Sequence, residues 1–283
     1  MHADGAFYLA YRLRRPVGEG RGYANVVARS DDGVAFEPVA WLPSEDFGCD
    51  SLERPALVRR PDGGWRLYLS LATRGTKHWT VVAVDAAEPG GLESARPQLV
   101  WAGDPRREAV KDPVVVVDGD GWHAWVCCHP LTEKGQEDRM TTRYATSPDG
   151  LTWAWQGDAL TPTPGTWDQR GARLTAVVSG PGSVADLAFY DGRADADENW
   201  YERTGLARRG PGAAFSAVQA VAPSGSPYGR NTLRYVSAVE LPGGGLRAYF
   251  EAAAEDGGND LRTQLLDPDA LRGLATAGAA GAR

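Results

Sequence analysis

The chain has 283 residues, 42% of them hydrophobic, with 35 Gly, 19 Pro, 10 Trp and a formal net charge of −7. Its length and apolar content suffice for a large core, and the acidic balance argues against a nucleic-acid footprint or an anionic membrane surface as partner. No apolar run is long enough to span a membrane and no signal peptide opens the chain. Cys49, Cys127 and Cys128 form neither a disulfide framework nor a zinc-ligand spacing. A cytoplasmic protein with buried thiols is expected, with no metal and no cofactor.

Taken in order, the chain repeats one phrase: an apolar, β-branched run, a Gly/Asp turn and an aromatic-rich run. The first repeat opens in mid-phrase, with Asp4 and Gly5 closing a turn and Phe7 to Tyr11 already a second strand. A third strand runs from Tyr23 to Arg29, and Phe36 opens an outer one. The innermost strand of this repeat is expected before Met1, either from a start further upstream or with another segment in its slot. The second repeat has an inner strand from Pro55 to Arg59, a turn at Pro61 to Gly64 and a second strand from Trp65 to Ser70. Its third strand runs from Trp79 to Val84, and its outer strand lies near Gln98 to Trp101.

The third repeat gives Pro113 to Val117, a turn at Asp118 to Gly121, then Trp122 to Val126, with an outer strand from Leu151 to Trp155. The fourth gives Ala172 to Val178, a turn at Gly180 to Gly182, and 184–190. The fifth gives Leu233 to Val239, a turn at Pro242 to Gly245, and Leu246 to Phe250. Asp/Gly-rich turns supply the positive φ that tight hairpins need. The Ala/Gly tail, 271–283, reads as a short helix or a frayed end.

The second strands begin at positions 7, 65, 122, 185 and 246, in steps of 58, 57, 63 and 61 residues. A period near 60 built of short strands marks the blade of a β-propeller. The expected fold is all-β: one domain over 1–270, a five-bladed β-propeller of four-stranded antiparallel blades around a central axis. Two phrases lying 117 residues apart, Ser30-Asp-Asp-Gly33 with Phe36 and Ser147-Pro-Asp-Gly150 with Trp153, read as structural turns whose aromatic packs between sheets.

In a propeller the starts of the inner strands and the ends of the second strands meet at one mouth. Polar residues there are the ones to inspect. Glu53 and Arg54 precede Pro55, and Lys111 and Asp112 precede Pro113. The fourth repeat offers Asp168, Arg170 and Arg173, and the fifth Arg230, Asn231 and Arg234. Second-strand ends add Arg12, Arg14, Arg15, His129, Asp191, Arg193 and Glu251.

Two carboxylates from neighbouring blades among arginines suit glycosidic-bond chemistry, where one acid protonates the leaving oxygen and one carboxylate activates water or attacks the sugar. Asp112 and Glu53 are the catalytic candidates. Arg12, Arg54, His129, Asp168, Arg173, Asp191, Arg234 and Glu251 are the substrate-binding ones. The bland alternative for Glu53 and Asp112 is an ion pair with Arg54 or Lys111 at a strand end. The acidic stretch from Asp191 to Glu198 lacks a full calcium-ligand series and reads as a solvated or rim loop.

At these residues the chain resembles the five-bladed propeller glycosidases of glycoside hydrolase family 43 and their relatives in families 32 and 130. The strand-turn-strand phrase of each blade, Asp112-Pro113 opening a blade, and the Ser-x-Asp-Gly turns carry the resemblance. It implies a carbohydrate substrate and carboxylate acid/base catalysis. In family 43 the inner strands of the first three blades bring a base Asp, an orienting Asp and an acid Glu. Here the second and third blades carry Glu53 and Asp112, the reverse order of types, and no residue stands at the first. Glu53-Arg54-Pro55 and Lys111-Asp112-Pro113 lie slightly nearer the family 130 style, whose members are intracellular phosphorylases that act on mannosides, and the arginine-rich rim would suit an anion. A non-catalytic sugar-binding or repurposed propeller is the alternative from another class. The sugar, the linkage, the stereochemical outcome and the oligomeric state are not written in the sequence.

Overall fold

The computed structural model describes residues 1–16, 18–178, 187–210, 214–267, 269–271 and 273. Five antiparallel sheets follow one another along the chain. The first is β1 (His2–Ala3), β2 (Ala6–Arg14), β3 (Gly22–Ser30) and β4 (Glu37–Pro43). The second is β5 (Ser51–Leu52), β6 (Ala56–Arg59), β7 (Trp65–Ala72), β8 (Trp79–Ala86) and β9 (Gln98–Trp101), with β5 and β6 both paired to β7 as two pieces of one inner strand. The third is β10 (Glu108–Asp118), β11 (Gly121–Pro130), β12 (Thr141–Ser147) and β13 (Ala154–Leu160). The fourth is β14 (Gly171–Val178), β15 (Leu187–Arg193), β16 (Arg203–Arg209) and β17 (Phe215–Ala217). The fifth has three strands among the described residues: β18 (Leu233–Glu240), β19 (Leu246–Ala253) and β20 (Asn259–Leu266). The fold class is an all-β, five-bladed β-propeller.

The repeats announced these strands because their causes are local. Alternating apolar side chains fill one sheet face, and Asp/Gly turns reverse the chain. At Asp4 and Gly5, φ is +52° and +77°, the left-handed pair a two-residue hairpin demands, and His2 and Ala3 pair with Phe7 and Ala6. A two-residue strand therefore stands where the sequence expected an inner strand before Met1. The outer strand of the third blade begins at Ala154 rather than Leu151, because the turn at Ser147 extends through Trp153. The turn at 180–182 and the start of the strand expected at 184–190 lie outside the described residues. So do residues 272 and 274–283 of the tail, whose Leu271 is buried in a core cluster with Val236 and Leu246.

The two Ser-x-Asp-Gly turns repeat atom for atom. Ser30 Oγ accepts from the Gly33 N–H at 2.9 Å, and Asp32 Oδ1 accepts from Val34 and Ala35 at 2.8 and 2.9 Å. Ser147 Oγ accepts from Gly150 at 2.8 Å, and Asp149 Oδ1 from Leu151 and Thr152, both at 2.8 Å. These N–H donors favour the ionised side chain and hold the Asp32 carboxyl down at about 2. Sheets are tied through the same turns. Arg66 Nη1 and the Tyr68 hydroxyl donate to the carbonyls of Asp149 and Gly150 at 2.6 and 2.7 Å, and Trp153 packs on Trp101 at 4.9 Å.

The described chain forms two compact units, residues 1–137 with 144–157, and 138–143 with 158–283. In the first, Leu52, Trp65, Leu67, Leu69 and Val84 make one core cluster, and Tyr68, Trp101, Trp122 and Val126 another. In the second the core is Val178, Leu187, Phe189, Leu206, Val236 and Leu246. Among the described residues no helix is long and apolar enough to cross a membrane.

Candidate functional site

In the first unit, polar groups gather on Glu53. This residue lies in the break between β5 and β6, where Pro55 interrupts the ladder, and it is 6% exposed. Arg12 Nη1, from the end of β2, donates to its Oε2 at 2.5 Å. Ser51 Oγ donates to Oε1 at 3.0 Å, and Arg21 Nη2 lies 3.4 Å from the same oxygen. Lys111 Nζ stands 3.9 Å from Glu53 Oε2 and 3.5 Å from Asp112 Oδ2. Burial alone would raise the Glu53 carboxyl, but Lys111, Arg12 and Arg21 outweigh it and hold the group at about 2. It is a carboxylate at any physiological pH.

Asp112 is fully buried, and its backbone has φ +51°. The cause is a bulge. Lys111 pairs with Cys127 and Val114 with Trp125, so Asp112 and Pro113 together oppose one residue of β11. Side chains at a bulge are re-aimed, and strained backbone of this kind gathers at functional positions. The Asp112 N–H donates to Ser70 Oγ at 2.8 Å, and its Oδ1 accepts from the Arg54 N–H at 3.2 Å.

His129 lies on the same face of β11 as Cys127. Its Nδ1–H donates to the Glu137 carbonyl at 2.7 Å, which leaves Nε2 to accept from the Cys127 thiol at 3.4 Å. Trp79 links these groups: its ring lies 5.4 Å from the His129 ring and beneath Lys111 Nζ at 5.0 Å.

The second unit holds a second and more deeply buried cluster, centred on Glu202. Arg234 Nη1 donates to its Oε2 at 2.7 Å. Arg173 Nη2 and Arg193 Nη2 lie 3.3 and 3.4 Å from Oε1. Burial would raise Glu202, yet these three guanidinium groups hold it far below the ordinary carboxylate range. Asp191 accepts from Arg173 at 2.8 Å, from the Thr204 hydroxyl at 3.1 Å and from the Tyr235 N–H. Burial nonetheless pushes its pKa up. Glu251 accepts from Arg234 Nε and Nη2 at 2.9 and 2.6 Å.

Asp168 is not drawn onto this cluster. Its carboxylate accepts from the hydroxyls of Tyr190 (2.9 Å) and Thr166, and from the Thr163 N–H, so it fastens the loop that precedes β14. In the acidic stretch, Asp195 accepts from the N–H groups of Asp197 and Glu198, and Glu198 accepts from Ala194 and Arg203. Among the described residues no His, Cys, Asp and Glu side chains group as a metal site.

Of the residues singled out from the sequence, Arg12, Glu53 and Asp112 come together with Lys111, and Arg54 joins them through its backbone. Arg173, Asp191, Arg234 and Glu251 come together around Glu202. Arg21 and Glu202 escaped the sequence reading for one reason. Both immediately precede a third strand, β3 or β16, and third strands start at the end where second strands finish: Arg14 pairs with Gly22, and Gly192 with Arg203. That register was the available signal.

No protein-family profile matches the chain, and no curated protein matches it in sequence. Solved structures do. A thermostable family-43 glycoside hydrolase superposes with a TM-score of 0.70 at 14% identity, over 94% of this chain and 88% of that one. An α-L-arabinofuranosidase from Lactobacillus brevis gives 0.67 at 14% identity, over 94% and 88%. The β-1,2-mannobiose phosphorylase from Listeria innocua, in complex with β-1,2-mannobiose, gives 0.58 at 14% identity, over 90% and 70%. At such identity the likeness establishes the fold: this chain is built on the five-bladed propeller of those carbohydrate-active enzymes.

Proposed function

We propose that the protein acts on a small glycoside or oligosaccharide through carboxylate chemistry at Asp112 and Glu53. The observation that carries the reading is the pair itself: two buried carboxylates from adjacent blades, both within 4 Å of Lys111 Nζ, one of them on bulged left-handed backbone. Glu53 is held ionised and has no proton to give, so it faces the positive charge that develops at the anomeric carbon. Asp112 protonates the leaving oxygen as the glycosidic bond breaks. Water adds its oxygen to the anomeric carbon, and its released proton replaces the one that Asp112 gave up. Solved structures of the same fold include glycosidases and a phosphorylase, which supports a carbohydrate as substrate. A cytoplasmic setting fits the three buried thiols.

Phosphorolysis is the second reading. Arg12, Arg21 and Lys111 put three cations around one carboxylate, a setting that also suits phosphate in place of water. The test is turnover of aryl glycosides and of manno-, xylo- and arabino-oligosaccharides, with and without inorganic phosphate. Wild type is compared with Asp112→Asn. The substitution is expected to lower kcat by about 10²–10⁴-fold with little change in KM. Turnover that needs phosphate selects the second reading. Unchanged turnover in Asp112→Asn removes Asp112 from the chemistry, and binding without turnover on every sugar makes the protein a sugar-binding propeller.

A further inference from the structure

The chain carries a formal net charge of −7, yet the group around Glu53 has the opposite sign. Arg12, Arg21 and Lys111 each place a nitrogen within 4 Å of the Glu53 carboxylate, and Lys111 also reaches Asp112. Three cations against two carboxylates leave one positive charge over, and they leave two when Asp112 holds a proton. A hydrogen-bond donor is left over as well. Trp79, 9% exposed, lies 5.0 Å from Lys111 Nζ and 6.0 Å from the Arg21 guanidinium, and among the described residues its Nε1–H finds no acceptor. Buried charges and donors are normally matched, so negative charge and acceptor oxygens brought by a ligand would complete the group.

Arg21 is the most open of the three cations. The side chains of Arg12 and Lys111 are 9% and 10% exposed, that of Arg21 is 38% exposed, and its Nη2 comes no nearer to Glu53 Oε1 than 3.4 Å. Its planar fork can take both oxygens of an incoming carboxylate in parallel N–H bonds, which the point charge of Lys111 cannot. Arg21 meets Oε1, whereas Lys111, the link to Asp112, lies nearest Oε2. An oxyanion on Arg21 thus stands apart from the proton donor, where it suits a group carried on the sugar rather than a nucleophile bound for the anomeric carbon.

We propose that the substrate is an acidic saccharide, one that carries a carboxylate as a uronic acid does, and that Arg21 holds this carboxylate. The choice of a sugar rests on the glycoside reading above, whereas the negative charge is asked for by the side chains themselves. Arg21 is then a specificity-determining residue: it selects an acidic sugar over its neutral counterpart and takes no part in breaking the bond.

The test is titration calorimetry with methyl glucuronide and methyl galacturonide, their neutral counterparts methyl glucoside and methyl galactoside, and inorganic phosphate, at low and at high salt. Wild type, Arg21→Gln, Arg21→Lys and the surface control Arg262→Gln are compared. At least one uronide is expected to bind wild type about tenfold more tightly than its neutral counterpart. That affinity should fall about tenfold in Arg21→Gln, be partly kept in Arg21→Lys, stay unchanged in Arg262→Gln and weaken as salt rises. Should Arg21→Gln fail to fold, the preference of wild type for uronide over neutral sugar and its salt dependence read the same contact. Equal affinity for uronide and neutral sugar, no uronide bound by wild type, or unchanged uronide affinity in folded Arg21→Gln overturns the inference. Phosphate bound through Arg21 in place of any uronide overturns it too and favours phosphorolysis. Uronide binding that depends on Arg21 without turnover upholds it and sinks the hydrolytic reading alone, and turnover of neutral glycosides with no uronide bound does the reverse.

Discussion

Glu53 shows how far a neighbourhood can move one side chain. An ordinary glutamate titrates at 4.5, and this one is held at about 2 by Lys111, Arg12 and Arg21 against the cost of its burial. Because the folded pKa is the lower, the group stabilises the fold fully above pH 4.5, and that stabilisation is lost as pH falls towards 2. The shift corresponds to a contribution on the order of 3 kcal/mol. Glu53→Gln is expected to lower stability at pH 7 by about 3 kcal/mol, since it removes the carboxylate that the buried Arg12 and Lys111 share. It should also flatten the pH dependence between 4.5 and 2. Urea denaturation across that range checks both points, and a variant as acid-sensitive as wild type contradicts the assignment. His129 carries the opposite lesson: its partners fix a tautomer, Nδ1–H towards the Glu137 carbonyl and Nε2 towards the Cys127 thiol.

At the scale of elements, the inner strands matter most. Those of the third and fifth blades, β10 and β18, bulge at the same place in their ladders. Asp112 and Pro113 oppose one residue of β11, just as Tyr235 and Val236 oppose one residue of β19, and both Asp112 and Tyr235 have positive φ. Each bulge is fastened to the second strand of the preceding blade. The Asp112 N–H donates to Ser70 Oγ on β7, and the Tyr235 N–H donates to Asp191 on β15. Asp191 therefore has a structural duty as well as an electrostatic one. Ser70→Ala leaves a buried N–H without its acceptor, at an expected cost of about 1–3 kcal/mol. It should also impair any turnover that depends on Asp112, because the strained φ at Asp112 loses its support. Denaturation midpoints beside kcat check this, and an unchanged midpoint would show that the bulge holds itself.

For the whole molecule, the fold outlasts sequence likeness: solved structures superpose over 94% of the chain at 14% identity. What is shared is a pattern of alternation and turns, which many sequences satisfy, so likeness in fold reaches further than likeness in side chains. Stability rests on apolar blades and on ties between sheets, not on covalent links, since Cys49, Cys127 and Cys128 are buried thiols. Dithiothreitol is accordingly expected to leave the Tm unchanged in a thermal scan, and a drop on reduction would reveal a cross-link that the architecture does not contain.

The strands, their order and the two Ser-x-Asp-Gly turns were legible in the sequence, because their causes act over a few residues: side-chain alternation, and Asp and Gly where a turn needs N–H acceptors and positive φ. Glu53, Arg173 and Arg234 were legible as residues at or near strand entries for the same reason, whereas Asp112, expected just before a strand at Pro113, lies in mid-strand because β10 begins at Glu108. Only the tertiary structure decided what these groups meet. From positions before third strands it brought Arg21 onto Glu53 and Glu202 onto three arginines, and it turned Asp168 into a loop fastener. It also set a two-residue strand at His2–Ala3. Those outcomes depend on register, bulges and the approach of one sheet to the next, which no window of adjacent residues encodes.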